Sequence, residues 1–350
     1  MQGAELSRLV KEEGEFFTQR SFAALNCVNL DLSGTVFIEV EFTDCDFSNA
    51  NLSEVTFNEC VFSNCRFTEA NLRDSNFISN DISSSDFTNI VFETTKFIKS
   101  RVVDCGFDRS RIDNSVFNEC DLSGSSLQSV ISKSTLFSAS NLSNISFASS
   151  SFDSVIFNEC VFSDNSFNEI TIKQSSFIKA DFSRVSFSGR DLSCCQFIES
   201  ELAYADFTGA KLKQTGFMNA NLQHALFDSA DLEMANLYDA DLSHASFDKA
   251  ILSKSSLQKT TIVKTNMTGA NLEMAQLAEA TIKQSLFVYV KMQYADLSHA
   301  LIEECNFSDA KMDYANMHET IDTSNIWNGS TREYALGTDP KKLKAEQWGK

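Results

Sequence analysis

From residue 22 onward, large apolar side chains recur at every fifth position. The series reads Phe22, Cys27, Leu32, Phe37, Phe42, Phe47, Leu52, Phe57 and runs to Phe307, Met312 and Met317, 60 consecutive five-residue units without a slip of phase. Ser132 is its one strongly polar occupant. A second series, of small residues, stands two positions before each centre: Cys45, Ala50, Val55, Cys60, Cys65, Ala70, Ser75. It becomes almost pure alanine from Ala205 to Ala250, where only Thr215 interrupts. A period of five fits neither the 3.6 of an amphipathic helix nor the 2 of a strand. It predicts a chain that turns a corner every five residues and sends both the large and the small residue inward.

Sorting the centres by twenty adds a second level. Phe47, Phe67, Phe87 and Phe107 continue to Phe247 with only Leu127 departing, and Phe37, Phe57 and Phe77 run unbroken to Phe217. The two intervening series are mainly Leu and Ile, as in Leu192, Leu212, Leu232, Leu252 and Leu272. Two opposite walls of stacked Phe and two aliphatic walls follow, with four units closing one coil. Each coil then touches only its neighbours, so both ends need covers. Residues 1–21, with Leu6, Leu9 and Val10 at helical spacing, read as an N-terminal cap with a short helix; residues 22–320 read as the repeat body; residues 321–350, with both Trp and the sole Pro340, read as the C-terminal cap or tail.

Segments such as Ala70-Asn71-Leu72, Ala220-Asn221-Leu222, Ala230-Asp231-Leu232, Ala240-Asp241-Leu242 and Ala270-Asn271-Leu272 resemble the A(D/N)LXX signature of the pentapeptide-repeat family, over about residues 22–320. That resemblance implies an all-β fold, a right-handed quadrilateral β-helix of about 15 coils with short non-repeat caps. With roughly 4.8 Å between stacked layers, such coils would make a rod of about 70 Å.

Composition narrows the partners. Of 31 Phe, 29 lie on the register, so one aromatic type has been chosen for its shape. The net charge of −19 argues against direct nucleic-acid binding, which needs an excess of Lys and Arg. No apolar run reaches the roughly 18–20 residues of a membrane span, and the N-terminal stretch lacks the basic and apolar regions of a secretory signal. A cytoplasmic protein is expected, with leaderless secretion left open. Eight of the ten Cys (Cys45, Cys60, Cys65, Cys105, Cys120, Cys160, Cys195, Cys305) fall in the small inward series and Cys27 in the large one. They read as small hydrophobes and reduced thiols, with Cys194 alone pointing outward.

Catalytic chemistry finds no foothold: no Ser-His-Asp order, paired-carboxylate pocket or phosphate-cradling Gly loop stands out. No cofactor, metal or small-molecule substrate is implied, and the expectation is a protein that is not an enzyme. His224 and His244, one coil apart above Tyr204, read as a solvated ladder, since a metal needs at least one further ligand. Ser132 should leave a small void or admit a water.

One outer face departs from the polar pattern. Flanking the Phe37–Phe217 centres come Val36, Ile38, Ile78, Ile98, Val116, Leu136, Ile156, Ile178, Ile198, Met218 and Tyr238, rimmed by Glu39, Glu59, Lys99, Glu119 and Glu159. Strand propensity explains part of this; an apolar strip rimmed by charge also marks a contact surface. A smaller patch of Met234, Met274, Tyr294 and Tyr314 lies on another wall. The expected function is a non-catalytic scaffold that binds a protein partner or a second copy of itself along its flat walls. The family resemblance implies two alternatives. One is a duplex-DNA mimic that binds a type II topoisomerase such as gyrase; the other is an effector or accessory protein of a bacterial secretion system. Magnitude disfavours mimicry, because about 70 Å of duplex carries around forty charges.

Overall fold

The computed structural model describes residues 2–14, 16–163, 165, 167 and 169–348. The chain forms two compact units, residues 1–180 and 181–350.

In the first unit, three-residue parallel strands follow one another, each paired with the strand twenty residues on. One side carries Phe17–Thr18, Val36–Ile38, Thr56–Asn58, Asn76–Ile78, Lys96–Ile98, Val116–Asn118, Leu136–Ser138, Ile156–Asn158 and Ser176–Ile178. The register sets Phe17 beside Phe37, then Phe57, Phe77, Phe97, Phe117, Phe137, Phe157 and Phe177. A second side carries strands from Ser21–Ala23 to Arg101–Val103, and another those from Val91–Glu93 to Thr171–Lys173. Single bridges such as Asn26 to Asp46, Asp46 to Arg66 and Arg66 to Asp86 close the remaining side. The twenty-residue coil with four hydrogen-bonded sides is thus the unit of the fold, and Phe17 already belongs to it.

The corner recurs at a fixed place. Among the described residues, the residue two after a centre has left-handed backbone, as in Glu39 (φ 53°), Asp44 (φ 54°), Asn49 (φ 57°) and Glu54 (φ 59°). That conformation costs an ordinary L-residue about 1–2 kcal/mol, which favours the Asn, Asp and Gly often found there. The cost is offset because the same N–H reaches the next coil: Glu39 N–H donates to the Asn58 carbonyl at 2.9 Å, and Asp44 N–H to the Ser63 carbonyl at 3.0 Å. Such bonds close the backbone ladder between neighbouring coils within a unit.

Inside, Phe rings stack from coil to coil. Phe77 and Phe97 lie 4.4 Å apart and 6° from parallel, Phe97 and Phe117 4.9 Å and 4°, Phe117 and Phe137 4.7 Å and 9°. The intervening sides are less aliphatic here than the Leu and Ile series suggest. Phe42, Phe62 and Phe152 occupy them and meet the stacks edge-on, as at Phe37–Phe42 (5.4 Å, 80°) and Phe57–Phe62 (5.0 Å, 87°). Polar groups at the small inward positions find carbonyls: Thr95 Oγ1 donates to Leu72 O at 2.8 Å, and Ser110 Oγ to Phe87 O at 2.8 Å. Ser132 does the same. It is buried, and its hydroxyl donates to the Ile112 carbonyl at 2.9 Å, so a protein carbonyl satisfies it without a water. Nine Cys are buried and unbridged and Cys194 is exposed.

Helix α1 (Gly3–Arg8) and a π-helical turn (Leu9–Glu13) cover the start of this unit, burying Leu6 and Val10. Gly3 is required at that contact, because a Cβ there would overlap the Asn26 carbonyl oxygen.

The second unit repeats the scheme with smaller inward residues. Bridges such as Asp181 to Glu201, Ser186 to Asp206 and Asp191 to Lys211 lead to a sheet of Thr261–Val263, Thr281–Lys283, Leu301–Glu303 and Ile321–Thr323. The winding runs on through bridges Asn306 to Ile326 and Asn316 to Leu336. Its inward places there hold Asp322 and Trp327, the indole stacking on Phe307 at 4.3 Å. Helix α2 (Pro340–Glu346) ends the unit. No helix among the described residues is long and apolar enough to cross a membrane. The fold is all-β, a parallel β-solenoid with short helical ends.

Candidate interaction surface

The first unit holds most of the apolar strip on one sheet, and pairing resolves it into two columns. One column reads Val36, Thr56, Asn76, Lys96, Val116, Leu136, Ile156, Ser176; the other reads Ile38, Asn58, Ile78, Ile98, Asn118, Ser138, Asn158, Ile178. Apolar groups occupy both columns at Val36 and Ile38, neither at Thr56 and Asn58, and then one column at a time: Ile78 and Ile98 in the second, Val116, Leu136 and Ile156 in the first, Ile178 in the second. The strip is therefore interrupted once and zigzags. Neighbours above and below half-bury Val36, Ile38, Ile78, Ile98, Val116, Leu136 and Ile178, while Ile156 is 42% exposed. In the second unit Ile198, Met218 and Tyr238 are half-buried as well, and the Lys259 ammonium lies 5.5 Å from the centre of the Tyr238 ring.

The polar and charged groups that rim the strip bond to each other along the same line. Gln19 Nε2 donates to Glu39 at 2.9 Å, Lys99 pairs with Glu119 at 3.8 Å, and Lys179 with Glu159 at 3.0 Å. Exposed pairs of this kind are worth about 0–1 kcal/mol each, so their main effect is to fix where charge stands beside the strip. Similar coil-to-coil pairs on other sides join Arg66 to Asp46, Arg73 to Glu93 and Arg101 to Asp81.

Greater apolar exposure lies elsewhere. Met234 (50%), Met274 (44%), Tyr294 (52%) and Tyr314 (56%) share one line of the second unit, with the two Tyr rings stacked at 5.2 Å. All four hold the left-handed corner position, which thrusts a side chain outward. The same geometry builds a ladder on another line: the Arg184 guanidinium lies 4.5 Å over Tyr204, Tyr204 4.5 Å from His224, and His224 4.6 Å from His244, with the rings nearly parallel.

One cluster was not legible in the sequence. His299, His318 and Glu346 bring three metal-ligand atoms within 4.8 Å of one another. Hydrogen-bond polarity argues against a metal there. The Asp339 N–H donates to His318 Nδ1 at 3.0 Å, so the proton of the neutral ring sits on Nε2 and points to the Glu346 carboxylate, 3.1 Å away. A ligating His would instead donate through its second nitrogen.

Coils with a left-handed corner at every fifth residue, filled by ring stacks and presenting long sheet walls, define a repeat scaffold. The chain belongs to the pentapeptide-repeat family: the pentapeptide repeat region model matches residues 31–117, 150–218 and 180–257, and the model of eight pentapeptide copies matches residues 291–321. A comparison with curated proteins finds no match. Among solved structures it is similar to HetL, a pentapeptide repeat protein involved in heterocyst differentiation regulation from Nostoc sp. strain PCC 7120. That match is 18% identical over 68% of this chain and 91% of HetL, with TM-score 0.20. It is also similar to full-length QnrB1, a plasmid-mediated fluoroquinolone resistance protein, at 16% identity over 73% of this chain and all of that one, with TM-score 0.23. Rfr23, from the cyanobacterium Cyanothece 51142, is 19% identical over 42% of this chain and 91% of its own, with TM-score 0.17.

Proposed function

We propose that this protein is a non-catalytic scaffold that binds another protein along the wall centred on Phe37–Phe177. The observation that carries this reading is the register of that sheet. It lines up Ile78 with Ile98, and Val116 with Leu136 and Ile156, beside a fixed row of paired charges. Half-buried β-branched groups on a regular sheet lose little freedom on contact, which favours association. Charge pairing along the walls also supports protein binding over nucleic-acid mimicry, because Arg66, Arg73 and Arg101 each neutralise an acid one coil away.

The test uses I98D and I156D, singly and together, in the full chain. Sedimentation velocity reads self-association, and affinity capture from the native host reads partner binding. Association should fall at least about tenfold per substitution, as when a contact of some 1.4 kcal/mol is lost, while circular dichroism stays that of the parent. Undiminished association by the doubly substituted protein refutes this surface. Supercoiling inhibition of purified gyrase would favour mimicry instead.

A further inference from the structure

Helix α2 is seven residues long and buries none of them. An isolated helix of that length does not persist in water, so what holds it must be named. Its two ends converge on one imidazole. His318 is buried at 1% exposure, its Nδ1 accepts the Asp339 N–H at the helix start, and its Nε2 faces Glu346 at the helix end. Asp339 in turn caps the helix, its carboxylate accepting from Lys341 N–H at 2.8 Å and Lys342 N–H at 3.4 Å. The second Glu346 oxygen lies 3.5 Å from His299 Nε2 and 3.7 Å from Lys342 Nζ. One further tie, Glu319 N–H to Thr338 Oγ1 at 3.2 Å, precedes the helix.

We propose that residues 339–348 form a strap latched by His318, closed when Asp339 and Glu346 both engage that ring and released as a unit when either bond is lost. A handful of polar bonds, two of them made by one imidazole, set the closed state. Opening therefore lies within the range of local fluctuations that precede global unfolding. The bond from His318 is also the chief reason that the Glu346 carboxyl sits below its ordinary value, with partial burial opposing and His299 and Lys342 assisting.

Amide hydrogen exchange on the full chain tests this, with the amides of Leu301–Glu303 as a folding control. E346A should speed exchange across residues 341–346 by about tenfold or more and leave the control unchanged. H318N keeps an acceptor near the Asp339 N–H and loses the donor to Glu346, whereas H318Q does the reverse; each should release the strap. H299A should release it less than E346A. Wild-type exchange in E346A, or full release by H299A alone, overturns the latch. Titration with Co²⁺ decides the remaining alternative: a saturable visible absorption band that H318Q abolishes would make the cluster a metal centre and also overturn the proposal.

Discussion

Replacing Ser132 with Ile tests whether the core tolerates a polar centre or has closed around it. Ser132 is paired in register with Ile112 on one side and Phe152 on the other, all three buried. The column is thus dimensioned for larger groups than a hydroxymethyl. Ile adds about three carbon groups, worth roughly 0.8 kcal/mol each when buried. Against this stands the hydrogen bond to the Ile112 carbonyl, about 1 kcal/mol. That carbonyl keeps a second donor, Thr135 Oγ1 at 2.8 Å, so its loss leaves no orphan. The balance is a gain of about 1–1.5 kcal/mol for S132I. Guanidinium denaturation of both proteins, followed by circular dichroism, should move the midpoint upward without changing the slope. A lower midpoint refutes the reasoning, since it would mean that neighbouring coils have collapsed onto the serine and that Ile overpacks them, at about 1–3 kcal/mol.

Three further outcomes follow from the same core. F97A removes a ring with stacked neighbours at 4.4 and 4.9 Å and should cost about 3–5 kcal/mol, whereas F16A, at a residue 68% exposed, should change the denaturation midpoint little. A thiol reagent should modify only Cys194 in the native protein and the other nine after unfolding; burial pushes the Cys105 and Cys160 thiols up to about 12, which suppresses the reactive thiolate. Stability should hold from neutral pH down to the ordinary aspartate range and then fall. At Asp191 the Ser193 hydroxyl bond, opposed by slight burial and joined by Lys211, lowers the pKa from 3.8; at Asp46 burial raises it, but Ser48 and Arg66 outweigh that. A folded pKa below the unfolded one gives stabilisation above the unfolded value that is lost as pH falls through the folded value. Thermal melts between neutrality and strong acid that show no such decline would refute this assignment.

Sequence made the coil legible because its inward positions are chosen for shape. A Phe at every twentieth residue from Phe37 to Phe217 predicts a stack, and within each unit the rings stack. It made the outward surface less legible. Counting places Ile78 and Ile98 on one wall, but only the pairing shows that Thr56 and Asn58 cut the strip and that coil neighbours half-cover its members. Tyr294 and Tyr314, thrust outward from the left-handed position, are 52% and 56% exposed and stand out further than Ile156, the most exposed Ile of the strip at 42%. Phe17, five before Phe22, already lies on the register and extends the body backward, whereas the winding past residue 320 escapes a reading of centres because Asp322 carries no apolar signature. The His299–His318–Glu346 cluster depends on where a tail folds back, and no local spacing encodes that.

The constant corner has a consequence for how such a chain changes over time. Every side of a coil uses the same five-residue step, so loss or gain of one step keeps the alternation of large and small inward residues but shifts all later residues by one side, the Phe columns included. Loss or gain of four steps shortens or lengthens the stack and restores every face. Duplication of whole coils can therefore lengthen a surface without redesigning the interior, and the address of an outward side chain is a remainder after division by twenty.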